Sequence, residues 1–211
     1  RIWSWISPRR PRSLEPYVSR ETLAKLELYA ALLEKWNPKI NLVSRSTIPD
    51  LWQRHIWDSA QIYPLAPAGD LWLDIGSGAG FPGLVAAVLA TQFHPVQKFR
   101  LFESDQRKST FLRTVIRELD LNATVAAKRV EELPATNADI LSARALADLS
   151  VLLTFADRHL SPTGTAIFLK GETWEKEVEA ARTIWHFECE KRTSQTDPNA
   201  AILLIKGIHR A

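Results

Sequence analysis

The residues best placed to do chemistry are Gly76-Ser77-Gly78-Ala79-Gly80, which follow the apolar run Leu71-Trp72-Leu73-Asp74-Ile75 and precede a helical stretch. Glycines at such a turn let the chain bend tightly and let a ligand approach main-chain N–H groups at the carboxyl ends of parallel strands. A dinucleotide fingerprint, G-x-G-x-x-G, needs glycine at position 81, where Phe81 stands. The spacing is G-x-G-x-G instead, with Asp74 just ahead of it. That is the pattern expected for S-adenosylmethionine, which has no pyrophosphate to cradle and whose methionine ammonium needs acceptors nearby. Asp74, Gly76, Ser77, Gly78, Gly80 and Phe81 are therefore candidates for holding this cofactor.

Further acids and one arginine extend the site. Glu103 ends the second apolar run, where a carboxylate can accept hydrogen bonds from both ribose hydroxyls. Val130 and Glu131 follow the third run, with an apolar wall and an acceptor for adenine; a helix-start acid favoured by the dipole is the plainer reading of Glu131. Arg144 follows the fourth run, nearest the group to be transferred. His55, Asp58 and Ser59 recur at helical spacing and share a face, and Arg54 can pair with Asp58. His55, Asp58 and Arg54 serve either as a wall of a target pocket, together with Asn41, or as a network holding two helices together. Arg107, Lys108, Arg113 and Lys170 are candidates for phosphate contacts, or solvated helix faces. Cys189 lies in the late strands, poorly placed for nucleophilic attack on a pyrimidine, and Ser142-Ala143-Arg144-Ala145 is not the Asn/Asp-Pro-Pro-aromatic element of exocyclic-amine methylation. A target that is already nucleophilic, such as a purine ring nitrogen, suits this inventory. No metal-ligand cluster is evident.

These residues need a frame. Ser19 is a good N-cap, and Leu23, Leu26, Tyr29, Leu33 and Trp36 form one apolar stripe of a helix that Asn37-Pro38 is expected to end. A second helix is expected from Ser46 or Thr47. From Leu71, apolar runs alternate with helical stretches: Leu71–Ile75, Leu84–Ala90, Phe99–Phe102, Lys108–Leu119, Ala123–Ala127, Ile140–Ser142, Leu149–Leu160, Ala166–Leu169 and Trp174–Thr183. Phe187 to Lys191 and Ala201 to Lys206 read as closing strands. Alternation implies an α/β fold with a seven-stranded, mostly parallel sheet covered on both faces, and the glycine loop makes a Rossmann-like S-adenosylmethionine-dependent methyltransferase the expected class. Residues 1–18 read as an irregular basic tail, 19–68 as a helical N-terminal cap and 69–211 as the core, all in one compact domain.

Composition narrows the function classes. The chain has 211 residues, 45% hydrophobic and 24% charged, as in ordinary globular proteins. No apolar run approaches the ~20 residues of a membrane span. One cysteine excludes an internal disulfide and fits a reducing, cytoplasmic setting. A net charge of +3 tilts the partner weakly toward a polyanion. Most of the tryptophans at 3, 5, 52, 57, 72, 174 and 185 are expected in packing rather than stacked on bases. The absence of methionine suggests that part of the gene product is missing from the sequence.

The order of motifs resembles one family. Trp36-Asn37-x-x-Ile40-Asn41-Leu42-Val43-Ser44, Arg54-His55-x-x-Asp58-Ser59 and Leu73 through Gly83 are similar to the bacterial small-subunit ribosomal RNA methyltransferase G family, also known as glucose-inhibited division protein B. So are Glu103-x-x-x-Arg107-Lys108-x-x-Phe111-Leu112-Arg113, Arg129-Val130-Glu131, Arg144-Ala145 and Lys170-Gly171, over roughly residues 20 to 207. The resemblance implies S-adenosylmethionine-dependent methylation of N7 of one guanine in 16S rRNA of the small ribosomal subunit. A monomer without membrane attachment is expected. It implies cofactor contacts from Gly76, Phe81, Val130, Glu131 and Arg144, with Glu103 on the ribose. Arg144, His55 and Asp58 are then the candidate catalytic set, and Arg54, Arg107, Lys108, Arg113 and Lys170 the RNA-binding set. Competing readings are a nicotinamide-dependent oxidoreductase, a non-catalytic RNA-binding protein, and a methyltransferase acting on a protein or small molecule.

Overall fold

Ser19 opens the first helix as its chemistry predicts: its hydroxyl accepts from the Thr22 N–H at 3.1 Å and caps α1 (Arg20–Ile40). This computed structural model describes residues 18–211, so the expected tail, with Trp3 and Trp5, lies outside the described residues except for Val18. Leu23, Leu26, Tyr29 and Leu33 are buried along one stripe, and Trp36 packs half-buried on Phe111. Asn37-Pro38 does not end α1. A proline in the last turn forfeits one hydrogen bond without stopping the winding, and the stop comes at Asn41, which is left-handed (φ 50°) and donates to the Asn37 carbonyl.

The second cap segment is broken rather than regular. A 3-10 stretch (Arg45–Asp50) leads into a π-helical stretch (Trp52–Trp57) and one α turn, α2 (Asp58–Ala60). The wider i→i+5 winding rotates later side chains away from α spacing. His55 and Asp58 still reach a common partner, but Ser59 turns fully into the core instead of sharing their face.

The alternation from Leu71 onward is realised as β1 (Leu71–Ile75), α3 (Gly83–Phe93), β2 (Lys98–Phe102), α4 (Gln106–Glu118), β3 (Ala123–Ala126), β4 (Ala138–Arg144), α5 (Leu149–His159), β5 (Leu160–Lys170), α6 (Trp174–Ala181), β6 (Trp185–Thr193) and β7 (Ala201–Arg210). The seven strands form one sheet in the order β3-β2-β1-β4-β5-β7-β6. β1 to β5 are mutually parallel, and β7 runs antiparallel between β5 and β6. Several strands outrun their apolar segments, because only the buried middle of a strand must be apolar; β5 starts at the exposed-to-intermediate Leu160-Ser161-Pro162. Strand order reverses between β1 and β4, which opens a crevice above their carboxyl ends.

Side chains alternate across the sheet. Trp72, Ile140, Ile167 and Ile202 face α1, α3 and α4, while Leu73, Ile75, Leu141, Phe168 and Leu203 form the core on the side of α5 and α6. The cap therefore shares the first of these two cores. Among the described residues no helix is long and apolar enough to cross a membrane.

Candidate functional site

The loop after β1 is tied down from several sides. Gly76 and Gly78 have φ of 62° and 55°, a region costly for residues with a side chain. Ser77 N–H donates to the Phe102 carbonyl at 3.1 Å, and Gly78 N–H donates to Glu103 Oε2 at 2.7 Å. The cap reaches over as well: the Tyr29 hydroxyl donates to the Ala79 carbonyl at 2.5 Å.

Above this loop lies a cavity of about 440 Å³, bordered by Gly76, Ser77, Gly78, Phe81, Glu103, Val130, Glu131 and Arg144 of the expected cofactor set. Its features suit S-adenosylmethionine. A Cβ at Gly78 would meet only the Gly76 carbonyl, at 3.9 Å, so a ligand can lie close to the main chain. Glu103 is nearly buried; each carboxylate oxygen takes one main-chain N–H, from Gly78 and Asp105 at 2.7 and 2.8 Å. Each oxygen retains acceptor capacity for a ribose hydroxyl. Val130, Phe102 and Phe155 supply apolar wall.

Two expected members are elsewhere. Gly80 is buried beneath the Tyr29 hydroxyl and Leu84. Asp74 is also fully buried and does not border the cavity: its Oδ1 accepts from the Ser142 hydroxyl at 2.6 Å, and that hydroxyl accepts from Trp72 Nε1 at 2.8 Å. Alternation along β1 puts Asp74 on the face of Trp72, under the start of α3. Burial pushes its carboxyl up to about 6 against the pull of these hydrogen bonds. Asp74 thus ties β1 to β4 beneath the loop, and its Oδ2 is buried with no hydrogen bond among the described residues.

Arg144 ends β4 and is the hub. One terminal nitrogen donates to the Arg54 carbonyl and to Asp58 Oδ2, both at 3.1 Å; the other donates to His55 Nδ1 at 3.0 Å. Its guanidinium lies 4.9 Å from the Phe81 ring centroid, and that ring stacks with Tyr29 and His55 at 5.4 and 5.2 Å. Because arginine only donates, His55 Nδ1 must accept, so Nε2 carries the hydrogen and donates to Thr47 Oγ1 at 2.8 Å. Burial, and the charges of Arg144 and Arg54, lower His55 to about 4. With both ring nitrogens bonded and the ring neutral, His55 is not built to move protons.

Asp58 pairs with Arg144 instead of the expected Arg54. Its other oxygen accepts from Thr196 Oγ1 at 2.7 Å and Gln61 Nε2 at 3.0 Å, linking the cap to the β6–β7 loop. Asn41 is an exposed helix terminus next to Leu42 and Val43, which do border the cavity.

The expected phosphate contacts divide. Lys108 borders the cavity, and Arg107 and Arg113 are exposed on α4, with Arg107 3.5 Å from Asp105. Arg54 is exposed on the cap. Lys170 is withdrawn from this set: its ammonium is largely buried, 2.6 Å from Glu177 and 2.9 Å from the Ala147 carbonyl, and so braces the chain after Arg144. Reading the sequence missed Leu42, Val43, Lys128, Arg129 and Leu146 of the cavity border. Lys128 and Arg129 had a local signal, two bases directly before Val130; Leu42 and Val43 stand in one of the motifs of the resemblance, but nothing in their residue types marked them as cavity wall. Cys189 is half-buried in β6 and borders neither this cavity nor the one beside it. Among the described residues no group of three metal-ligating side chains gathers. Trp57, Trp72 and Trp185 are buried, as expected.

The fold is that of known methyltransferases. A SAM-dependent O-methyltransferase from Thermotoga maritima aligns with a TM-score of 0.52 over 73% of this chain and 66% of that one, at 16% identity. TYW2 of P. horikoshii, solved with MeSAdo, aligns with a TM-score of 0.53 over 74% of this chain and 62% of that one, at 13% identity. Sequence relatives are far nearer. A protein of Ruegeria sp. (strain TM1040) named ribosomal RNA small subunit methyltransferase G is 56% identical over 94% of this chain and 97% of its own length. One of the same name from Rhodospirillum centenum is 52% identical over 90% of this chain and 87% of its own. The family model described as rRNA small subunit methyltransferase G matches residues 22–207. With its motifs in register on this fold, the chain belongs to the ribosomal RNA small subunit methyltransferase G family.

Proposed function

We propose that this protein transfers the methyl group of S-adenosylmethionine to N7 of one guanine in 16S rRNA of the small ribosomal subunit. The observation that carries the reading is the Arg144 hub at the edge of the cofactor cavity, a site with a fixed cation and, among the described residues, no side chain poised as a base. S-adenosylmethionine supplies an electrophilic methyl carbon on a sulfonium. Gly76, Ser77, Gly78, Phe81, Glu103, Val130 and Glu131 would hold it. Guanine N7 carries a free lone pair, so no side chain has to remove a proton before attack. The protein's task is then alignment, which alone is capable of large rate gains.

Arg144 is the group that meets the guanine. Asp58 and His55 fix its plane, and its remaining donors can reach O6 alone, so that the N7 lone pair, which the usual bidentate arginine–guanine pairing would occupy, stays free. His55 and Asp58 act through Arg144 and are positioning residues. Lys108, Arg107, Arg113 and Arg54 offer charge to the phosphates around the target, and Lys128 and Arg129 join them. We take the enzyme to act as a cytoplasmic monomer, meeting its substrate on the subunit. The test is transfer of labelled methyl to small subunits that lack the modification. Label in the RNA fraction supports the reading, and label in protein or none at all, with the cofactor bound, contradicts it.

A further inference from the structure

The carboxylate that fixes Arg144 is itself held from a third element. Asp58 Oδ2 faces Arg144, and Oδ1 accepts from Thr196 Oγ1 at 2.7 Å and from Gln61 Nε2 at 3.0 Å. Thr196 lies in the loop between β6 and β7, remote in sequence from Asp58 and Arg144. A carboxylate paired with arginine only accepts, which sets the direction of the bonds behind it. The Thr196 hydrogen must point at Asp58, and its oxygen then accepts from the Ser194 hydroxyl at 2.9 Å. Ser194 Oγ is buried and accepts in turn from the Thr196 N–H at 3.2 Å and from Gln61 Nε2 at 3.1 Å. Ser194 thus donates to Thr196 and Thr196 to Asp58, whose far oxygen receives Arg144.

The donors on Asp58 Oδ1 are not equivalent. Gln61 Nε2 has two hydrogens and lies within reach of three acceptors: the Asp58 carbonyl at 3.0 Å, Asp58 Oδ1 and Ser194 Oγ. It cannot serve them all at once. The Thr196 hydroxyl has one hydrogen and gives it to Asp58. The loop does not depend on that bond for its shape. Ser194 N–H donates to the Ala200 carbonyl at 3.0 Å, Ala200 N–H to the Asp197 carbonyl at 3.1 Å and Asn199 N–H to Asp197 Oδ1 at 2.9 Å. Gln195 N–H, donating to Gln61 Oε1 at 2.8 Å, ties the loop to the cap. What the Thr196 hydroxyl adds is the orientation of the carboxylate, since a donor on each oxygen fixes the plane in which Oδ2 meets Arg144. Hydrogen bonds to an ionised group are the strong ones, and small misplacements at a reacting centre are costly in rate.

We propose that Thr196 is a positioning residue for methyl transfer: acting through Asp58, it sets the Arg144 guanidinium against the target base. This rests on the reading that Arg144 meets that base. Thr196→Val keeps the shape of the side chain and removes the hydroxyl, and Thr196→Ser returns it. Thr196 does not border the cofactor cavity, so both variants are expected to bind S-adenosylhomocysteine as the wild type does, measured by calorimetry.

The activity assay is single-turnover methylation of small subunits lacking the modification. In Thr196→Val the rate at saturating subunits should fall about tenfold, the weight of a hydrogen bond to a charged group, with the half-saturating subunit concentration unchanged. Thr196→Ser should restore the rate. In an Asp58→Ala background Thr196→Val should cost nothing further, because residues that act in series are not additive. A wild-type rate in Thr196→Val overturns the proposal. So does a loss that Thr196→Ser leaves in place, a loss as large in the Asp58→Ala background, or a loss that follows S-adenosylhomocysteine affinity. Arg144→Lys, assayed alongside, separates the proposal from the reading beneath it. A wild-type rate there takes Arg144 away from the target base and the role of Thr196 with it; a slow Arg144→Lys beside a wild-type Thr196→Val overturns the role of Thr196 alone.

Discussion

Phe81 stands where a dinucleotide site requires glycine, and its ring joins the site's parts: Tyr29 and His55 stack on it and the Arg144 guanidinium lies over it. The substitution that argued for S-adenosylmethionine in the sequence is thus also the platform that fixes the arginine. His55 makes a clear prediction. Its folded value is depressed to about 4, so its contribution to stability is present above the ordinary 6.5 and is lost as pH falls from there toward 4. With no general base in use, the pH–rate profile should stay flat from about pH 7 to 9 and decline only on the acid side as His55 gains a proton and repels Arg144. A neutral-pH inflection that disappears in His55→Ala would contradict this.

Asp74 behaves in the opposite sense. Its folded value is raised from 3.8 to about 6, so its contribution is fully present below 3.8 and is lost as pH rises through 6. At pH 8 the buried charge costs on the order of 3 kcal/mol relative to the protonated form. Asp74→Asn keeps an acceptor for Ser142 and removes the charge. The variant should be more stable than wild type in denaturant at pH 8 and lose that advantage near pH 4. The sequence marked Asp74 as important but misread its direction. The clue was parity: in β1 it alternates with Leu73 and so points with Trp72 into the core.

At the scale of elements, what was legible was what is local. The glycine turn, the acid ending β2, the Ser19 cap and the strand–helix alternation each depend on neighbours in sequence, and they stand where expected. The π-helical stretch Trp52–Trp57 was hidden, since its winding follows from packing rather than from propensity. The Arg144 network was hidden for a related reason: its partners Arg54, His55 and Asp58 are brought from another element by the fold. Lys170 looked like a surface base because its partner Glu177 lies across a turn. Gly83 offers a test of how tightly β1 and α3 are fitted. A Cβ there would fall 2.5 Å from the Asp74 Cβ and 2.6 Å from its Cγ. Alanine is favoured over glycine by ~1 kcal/mol in a helix, yet Gly83→Ala should destabilise by about 1–3 kcal/mol through overpacking. A stabilised variant in denaturant titration would mean that the junction is loose.

At the scale of the molecule, the cap and the sheet are one cooperative body. Leu26, Tyr29 and Leu33 have no exposed surface and belong to the same core as Trp72 and α3. Their amides should exchange hydrogen only through global unfolding, and early exchange of α1 alone would show a separable cap. This union lets the cap supply His55 and Asp58 while the sheet supplies Arg144 and the glycine loop, with exposed bases around the opening. The central claim is that the assembled site methylates N7 of one guanine. The most direct measurement is to react the protein with S-adenosylmethionine and unmodified small subunits, then treat the extracted RNA with borohydride and aniline, which cut the strand at 7-methylguanosine. The account predicts a new cut at one guanine of 16S rRNA, absent when Arg144→Lys is used in place of the wild type. Methyl incorporation into the RNA without any such cut would contradict it.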